Sequence, residues 1–286
     1  MTNFDLGAVA SGVTLDAEGL WHATNSEAIS YPADGNAACL AVEDSSLWFR
    51  HRNRCIEAAV SAALPSKQGF FLDVGAGNGY VARGLMQAGH EVVAVEPGLA
   101  GARSAKARGV SHVICATTQA CRFAPHSVPA AGAFDVVEHI ADDVGFLSHL
   151  RGLLRADGAL VLTVPAYPAL WSQDDADAGH QRRYTAASLR SALESAGWRV
   201  DFETYFFRWL PVPIALVRAL PYRLGMRRSS SISGQAARDH AATRPWTARA
   251  IERALASEVR NIRQRRRMAF GGSLLVIARP AGAKAE

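Results

Sequence analysis

FLDVGAGNGYVARGLMQAGHEVVAVEPG, residues 71–98, decides the fold class of this 286-residue chain. Phe70–Val74 is a short apolar run of the kind buried on both faces of a parallel sheet. Tyr80–Ala88 reads as a helix closed by Gly89, and Glu91–Val95 as a second strand. The turn between them, LDVGAGNG at Leu72–Gly79, lies where open parallel sheets place ligands. Its glycines let a ligand approach the backbone closely, although a glycine turn without a ligand would look much the same. Its spacing is GxGxG, not the GxGxxG expected for a dinucleotide pyrophosphate, and that disfavours a dehydrogenase. Asp73 before the loop would repel a pyrophosphate but suits a ligand carrying an ammonium and a sulfonium. Glu96, at the end of the second strand, can accept both hydroxyls of a ribose.

Working outward, the same alternation continues. Ser46–Leu64 has the apolar spacing of an amphipathic helix stopped by Pro65, and Gly101–Arg108 reads as a helix ended by Gly109. His112–Cys115, Val128–Phe134 and Ala159–Val164 read as strands, with a helix over Val144–Leu154. Thr185 is placed to cap a helix that ends at Gly197, and Trp198–Tyr205 alternates as a half-buried strand should. A last strand, Ser273–Ala278, follows after roughly seventy residues, too many for a hairpin. The pattern predicts an α/β sheet with right-handed crossovers. It divides into an irregular segment (1–45), a ligand-binding core (46–205), a hydrophobic and basic helical insertion (206–270), and a last strand with its tail (271–286).

Composition narrows the function. The formal charge of +5 conceals an asymmetry, with thirteen Lys/Arg against three Asp/Glu between Pro221 and Arg279 and a net −5 elsewhere. Basic character confined to one end argues against a general nucleic-acid binder. No long uninterrupted apolar run and no secretory start are visible, and Cys39, Cys55, Cys115 and Cys121 show no ligand or disulfide pattern. A cytoplasmic protein with reduced thiols is the expectation.

With LDVGAGNG, VVAVEPG (Val92–Gly98), FDVVEHIADD (Phe134–Asp143) and LLRADGALVLTVPAYP (Leu153–Pro168) in this order, the chain resembles the class I S-adenosylmethionine-dependent methyltransferases. The resemblance covers about Trp48–Trp198 and resumes at GGSLLVIARP. It extends to a bacterial small-molecule subgroup through SLWFRHRNR (Ser46–Arg54) and LWSQDDADAGHQRRY (Leu170–Tyr184). It implies a Rossmann-like, doubly wound, seven-stranded sheet whose last strand is antiparallel, an N-terminal helical segment, and S-adenosylmethionine as cofactor. It also implies Asp73, Gly75, Gly77, Gly79, Glu96 and Pro97 as cofactor contacts. Ala133 and Phe134 would flank the methyl donor, and Arg52 would pair with the cofactor carboxylate or lie on a solvated helix face. No acid follows the third strand, so Thr117, Thr118 or backbone would serve near the adenine.

For the acceptor, His139 and His180 are the candidate bases, with helix capping as the plain alternative for His139. Trp171, Arg183 and Tyr184 are the candidate substrate contacts. Arg183 could equally pair with the acids of its own segment. No recognised metal-ligand spacing is present, so no metal is expected. No NPPY-like tetrapeptide follows the fourth strand, which argues against adenine and glutamine targets. Tyr205–Leu224 is apolar but broken by prolines and arginines, which suits a lid, a membrane-interface helix or a homodimer contact better than a span. The reading is methyl transfer to a small or lipid-like acceptor, at oxygen. RNA methylation through the basic insertion and a non-catalytic cofactor-binding partner protein are the alternatives.

Overall fold

Phe70–Val74 is buried at all positions and forms β3, the centre of the sheet. In the computed structural model, residues 6–23, 40, 42–226 and 245–282 are described. β3 pairs in parallel with β4 (Glu91–Val95) on one side and β6 (Val128–Phe134) on the other. β5 (His112–Cys115) lies beyond β4, and β7 (Leu154–Pro165) beyond β6. The chain reverses its direction of travel across the sheet between β3 and β6, so their carboxyl ends open a crevice. β9 (Ser273–Pro280) inserts between β7 and β8 (Trp198–Phe206), antiparallel to both.

These seven strands have the expected count and sense, but the described sheet has nine. The segment expected to be irregular adds β1 (Val13–Leu15) and β2 (Trp21–Ala23), and β2 runs parallel to β5. Three-residue strands are too short to show a period. A turn in which Asp16 accepts the N–H groups of Glu18 and Leu20 joins them. The hairpin covers what would otherwise be an open sheet edge. β7 also begins earlier than expected, because Leu154 pairs with Val128 before the ladder resumes at Ala130.

Helices cover both faces. α1 (Leu47–Ala63), capped by Ser46, joins α2 (Tyr80–Gln87) and α3 (Leu99–Ala107) on one face, burying Ile56, Leu85 and Ala102. α4 (Asp143–Leu153) and α6 (Ala186–Ser195) lie on the other, with Leu147, Leu150 and Leu193 against the buried Trp198. The Trp198 indole N–H donates to the Leu147 carbonyl at 3.0 Å. The short α5 (Gln173–Asp177) precedes α6. Cys55 and Cys121 are buried free thiols and Cys115 is half-buried, while Cys39 lies outside the described residues.

The insertion contributes α7, which runs from Pro211–Ile214 through a π-helical turn, Ala215–Ala219, into Leu220–Arg223. A further helix among the described residues, α8 (Pro245–Arg263), packs on α1. The buried Glu258 is the lock between them. Its carboxylate accepts the backbone N–H groups of Phe207 and Arg208 at 2.8 and 2.9 Å, and His51 of α1 lies 2.9 Å away. Burial opposes ionisation of Glu258, but these hydrogen bonds outweigh it and hold its pKa below the ordinary value. Glu258→Ala orphans three polar groups and should destabilise the protein by about 3 kcal/mol. A thermal melt would test this, with Glu258→Gln expected to lose much less.

Candidate functional site

The glycine turn closes over the end of β4. The N–H groups of Gly75 and Ala76 both donate to the Val95 carbonyl, at 2.8 and 3.1 Å. Gly75 and Gly79 have φ of +70° and +73°, and neither could carry a side chain. An added Cβ would stand 2.6 Å from Val136 Cγ2 at Gly75 and 2.7 Å from Ala105 Cβ at Gly79. Gly77 instead turns its N–H to Glu96 Oε2 at 2.8 Å, while Gly98 donates to Oε1 at 2.7 Å. Burial raises the pKa of Glu96, and these two donors work against that rise. Each Glu96 oxygen keeps a further lone pair. Pro97 passes its carbonyl to the Cys115 thiol.

Asp73 is 1% exposed, and among the described residues its Oδ2 meets no hydrogen-bond donor. Burial pushes its pKa up to about 7, with Glu96 adding to the rise and Arg52 opposing it. A buried carboxyl with one oxygen unmatched, beside a left-handed glycine turn, fits a ligand that brings an ammonium, and the Glu96 carboxylate can accept a ribose diol, so the residues present suit S-adenosylmethionine.

Arg52 is committed within the protein. From α1 its Nε donates to Asp135 Oδ2 at 2.7 Å and its Nη2 to the Phe134 carbonyl at 2.9 Å. Asp135 also accepts the Thr163 hydroxyl, and its φ is +57°, a conformation a non-glycine residue holds only when its surroundings impose it. The Phe134 ring stacks on Phe71, and Phe134 and Ala133 are both buried. Thr117 caps a local turn by accepting the Ala120 N–H, and the buried Thr118 donates to Gln119.

Beyond β6, the 3-10 turn Val137–His139 meets the loop after α5. Glu138, His139 and His180 place one potential ligand atom each within 4.8 Å of one another. The two imidazoles meet edge to face, with centroids 4.8 Å apart. Glu138 is 0% exposed, and among the described residues neither carboxylate oxygen meets a donor from another residue. Burial, reinforced by Asp135, holds its pKa well above the carboxylate range. Burial also pushes the pKa of His139 down to about 4, helped by His180.

His180 has an acid behind it: its Nδ1 lies 2.9 Å from Asp175 Oδ1. Asp175 closes a capping box with Ser172 and takes Arg183 Nε at 2.7 Å. Burial would raise its pKa, but the His180 and Arg183 hydrogen bonds hold it at about 2. This arrangement can move a proton or hold a divalent ion. A second group, His51, Cys55 and Glu258, has metal-binding spacing too, but the Glu258 oxygens are already taken.

Two of the expected substrate contacts point inward. Arg183 is spent on Asp175 and the Ala166 carbonyl, and the buried Tyr184 hydroxyl donates to Asp143 at 2.7 Å. Trp171 is half-buried just past the turn Pro168–Leu170. The Arg183–Asp175 pair is the alternative that the sequence left open for Arg183. Three acids were missed: Asp135, Glu138 and Glu43. Glu43 bridges Arg108 and Asn78 over the glycine turn. Glu138 had a signal, since it stands next to a histidine already singled out.

The sequence profile of the methyltransferase domain matches residues 48–202. No curated protein sequence matches the chain significantly. Among solved structures, an S-adenosylmethionine-dependent methyltransferase from Thermotoga maritima aligns at 14% identity with a TM-score of 0.51, covering 85% of this chain and 93% of its own. The protein bound to the Trm112 methyltransferase activator of Haloferax volcanii aligns at 15% with 0.52, over 89% and 96%. Phosphoethanolamine N-methyltransferase 2 of Haemonchus contortus aligns at 16% with 0.52, over 88% of this chain but 58% of its own. Identities this low make the likeness one of fold.

Asp73 yields a pH dependence. Its folded pKa lies above the ordinary 3.8, so its contribution to folding is lost as pH rises toward about 7. An ammonium-bearing ligand needs the ionised form. Affinity for S-adenosylhomocysteine should therefore fall below pH 7 by up to about tenfold per unit. Titration calorimetry between pH 5.5 and 8 measures this, and Asp73→Asn should bind weakly with a flat profile.

Proposed function

The chain belongs to the methyltransferase domain family, and we propose that it carries the methyl group of S-adenosylmethionine to an oxygen of a small or lipid-like acceptor. When bound, the cofactor supplies an electrophilic methyl on a sulfonium. The chain's own contribution begins with orientation: Asp73 takes the ammonium, Glu96 the ribose, and the glycine turn the backbone contacts between them. Holding donor and acceptor in line supplies much of the rate of such a displacement.

The observation that carries the oxygen reading is the His139–His180 pair at the mouth of the crevice, with Asp175 behind it. An alcohol acceptor must shed a proton as it attacks, whereas a carboxylate attacks already ionised, and a neutral imidazole can take the alcohol's proton. His139, its pKa pushed down to about 4, is too weak a base for this and stays neutral beside His180, whose Nε2 takes the proton. Asp175 acts as a positioning residue: it accepts from Nδ1 of His180 and so leaves Nε2 for the acceptor. Burial shifts Glu138 toward its neutral form, which weakens any anionic field beside the nucleophile. This proton path requires no metal ion.

Incubation with methyl-labelled S-adenosylmethionine and small-molecule and lipid extracts should give a product labelled at oxygen. Label on nitrogen or on RNA alone would refute the reading. His180→Ala should lower kcat by roughly 10²–10⁴-fold while leaving S-adenosylhomocysteine affinity within about threefold. Activity should persist in EDTA.

A further inference from the structure

α7 exposes its large apolar side chains. Val212, Leu216, Leu220 and Leu224 recur every four residues and are between 48% and 67% exposed, with Trp209 45% exposed just before the helix. An α-helix alone would let a four-residue spacing drift round the axis. The wider π-helical turn Ala215–Ala219 counters that drift and keeps these residues in one row. Leaving such a row in water is costly unless something apolar meets it.

One flank of α7 is pinned. Ala219 is buried, Arg218 Nη1 pairs with Asp174 Oδ2 at 2.8 Å, and Arg223 Nη2 donates to the Ala169 carbonyl at 2.8 Å. Both anchors lie on the segment that continues into Asp175 and His180, so the apolar row is rigidly tied to the acceptor side of the crevice. Its charge has one sign. From Thr204 to Met226 the sequence contains three arginines and no acid, and Arg208 before the helix and Arg223 in its last turn are exposed.

We propose that α7 docks this protein on the surface of an anionic lipid bilayer, with Val212, Leu216, Leu220 and Leu224 entering the acyl boundary and the exposed Arg208 and Arg223, one at each end of the helix, meeting lipid phosphates. A second copy would bring the same arginines together about a two-fold axis, where like charges repel. A span is ruled out for α7 by its length and its prolines, and no described helix is long and apolar enough to cross a membrane. An interfacial helix with cationic flanks and an aromatic at one end satisfies both the apolar and the charge pattern. The docking stands apart from the identity of the acceptor.

Sedimentation of the full-length protein with vesicles tests it without any turnover. Vesicles of phosphatidylcholine with 30% phosphatidylglycerol should pellet the protein, and pure phosphatidylcholine should bind at least about tenfold less. Added salt should reduce the bound fraction. Leu216→Glu with Leu220→Glu should abolish pelleting while leaving the melting temperature and S-adenosylhomocysteine affinity unchanged. Equal pelleting by that double variant, or no pelleting of the parent on anionic vesicles, would overturn the proposal. So would a dimer in sedimentation equilibrium that the same variant dissociates, since the row would then be a contact between copies.

Discussion

Arg52 sits where three parts of the molecule meet. It leaves α1, bonds the Phe134 carbonyl and the Asp135 carboxylate at the end of β6, and through Asp135 reaches the Thr163 hydroxyl on β7. Its charge also bears on Asp73, Glu138 and Glu43, lowering the pKa of each against burial. A single buried guanidinium thus stands among four carboxyl groups around the crevice. Removing one member of such a buried set leaves uncompensated charge, at a cost of about 3–5 kcal/mol. The left-handed backbone of Asp135 is held by the same contacts, so the floor of the crevice depends on this cation.

The neighbouring residue links the site to the insertion. His51 and Arg52 are consecutive on α1, and the helical rotation sends them in different directions. Arg52 faces the crevice, while His51 meets Glu258 of α8, which in turn accepts the backbone at Phe207 and Arg208. At the other end of the insertion, Arg218 and Arg223 fasten α7 to residues 169–174. The insertion is therefore bound to α1 through a buried carboxylate and to the acceptor loop through two arginines. The loop is stiffened from within by Asp175, which serves Ser172, His180 and Arg183 together.

Periodicity made most of the core legible. The limits of β3, β4, β5 and β6 agree with the runs that predicted them, because strands buried on both faces are mostly apolar, and β3, β4 and β6 end where glycine or an acid begins. The hairpin of β1 and β2 was not legible, since three residues cannot establish an alternation. The inward turn of Tyr184 was hidden for another reason. It is a polar residue on a loop, and only the position of Asp143 decides that it is a structural tie, while for Arg183 the position of Asp175 decides between two readings that the sequence left open.

By itself, then, the sequence determined the sheet, the glycine turn and the two acids that flank it, because each depends on local backbone conformation or on burial that a run of side chains records. The tertiary structure alone decided what faces the acceptor. His139 and His180 are 41 positions apart and meet only because β7 returns beside β6 and the loop after it folds back across the crevice. It also decided the fate of Arg52, whose partner Asp135 lies 83 positions away. Such pairings depend on distance through space, and a linear pattern carries no record of that distance.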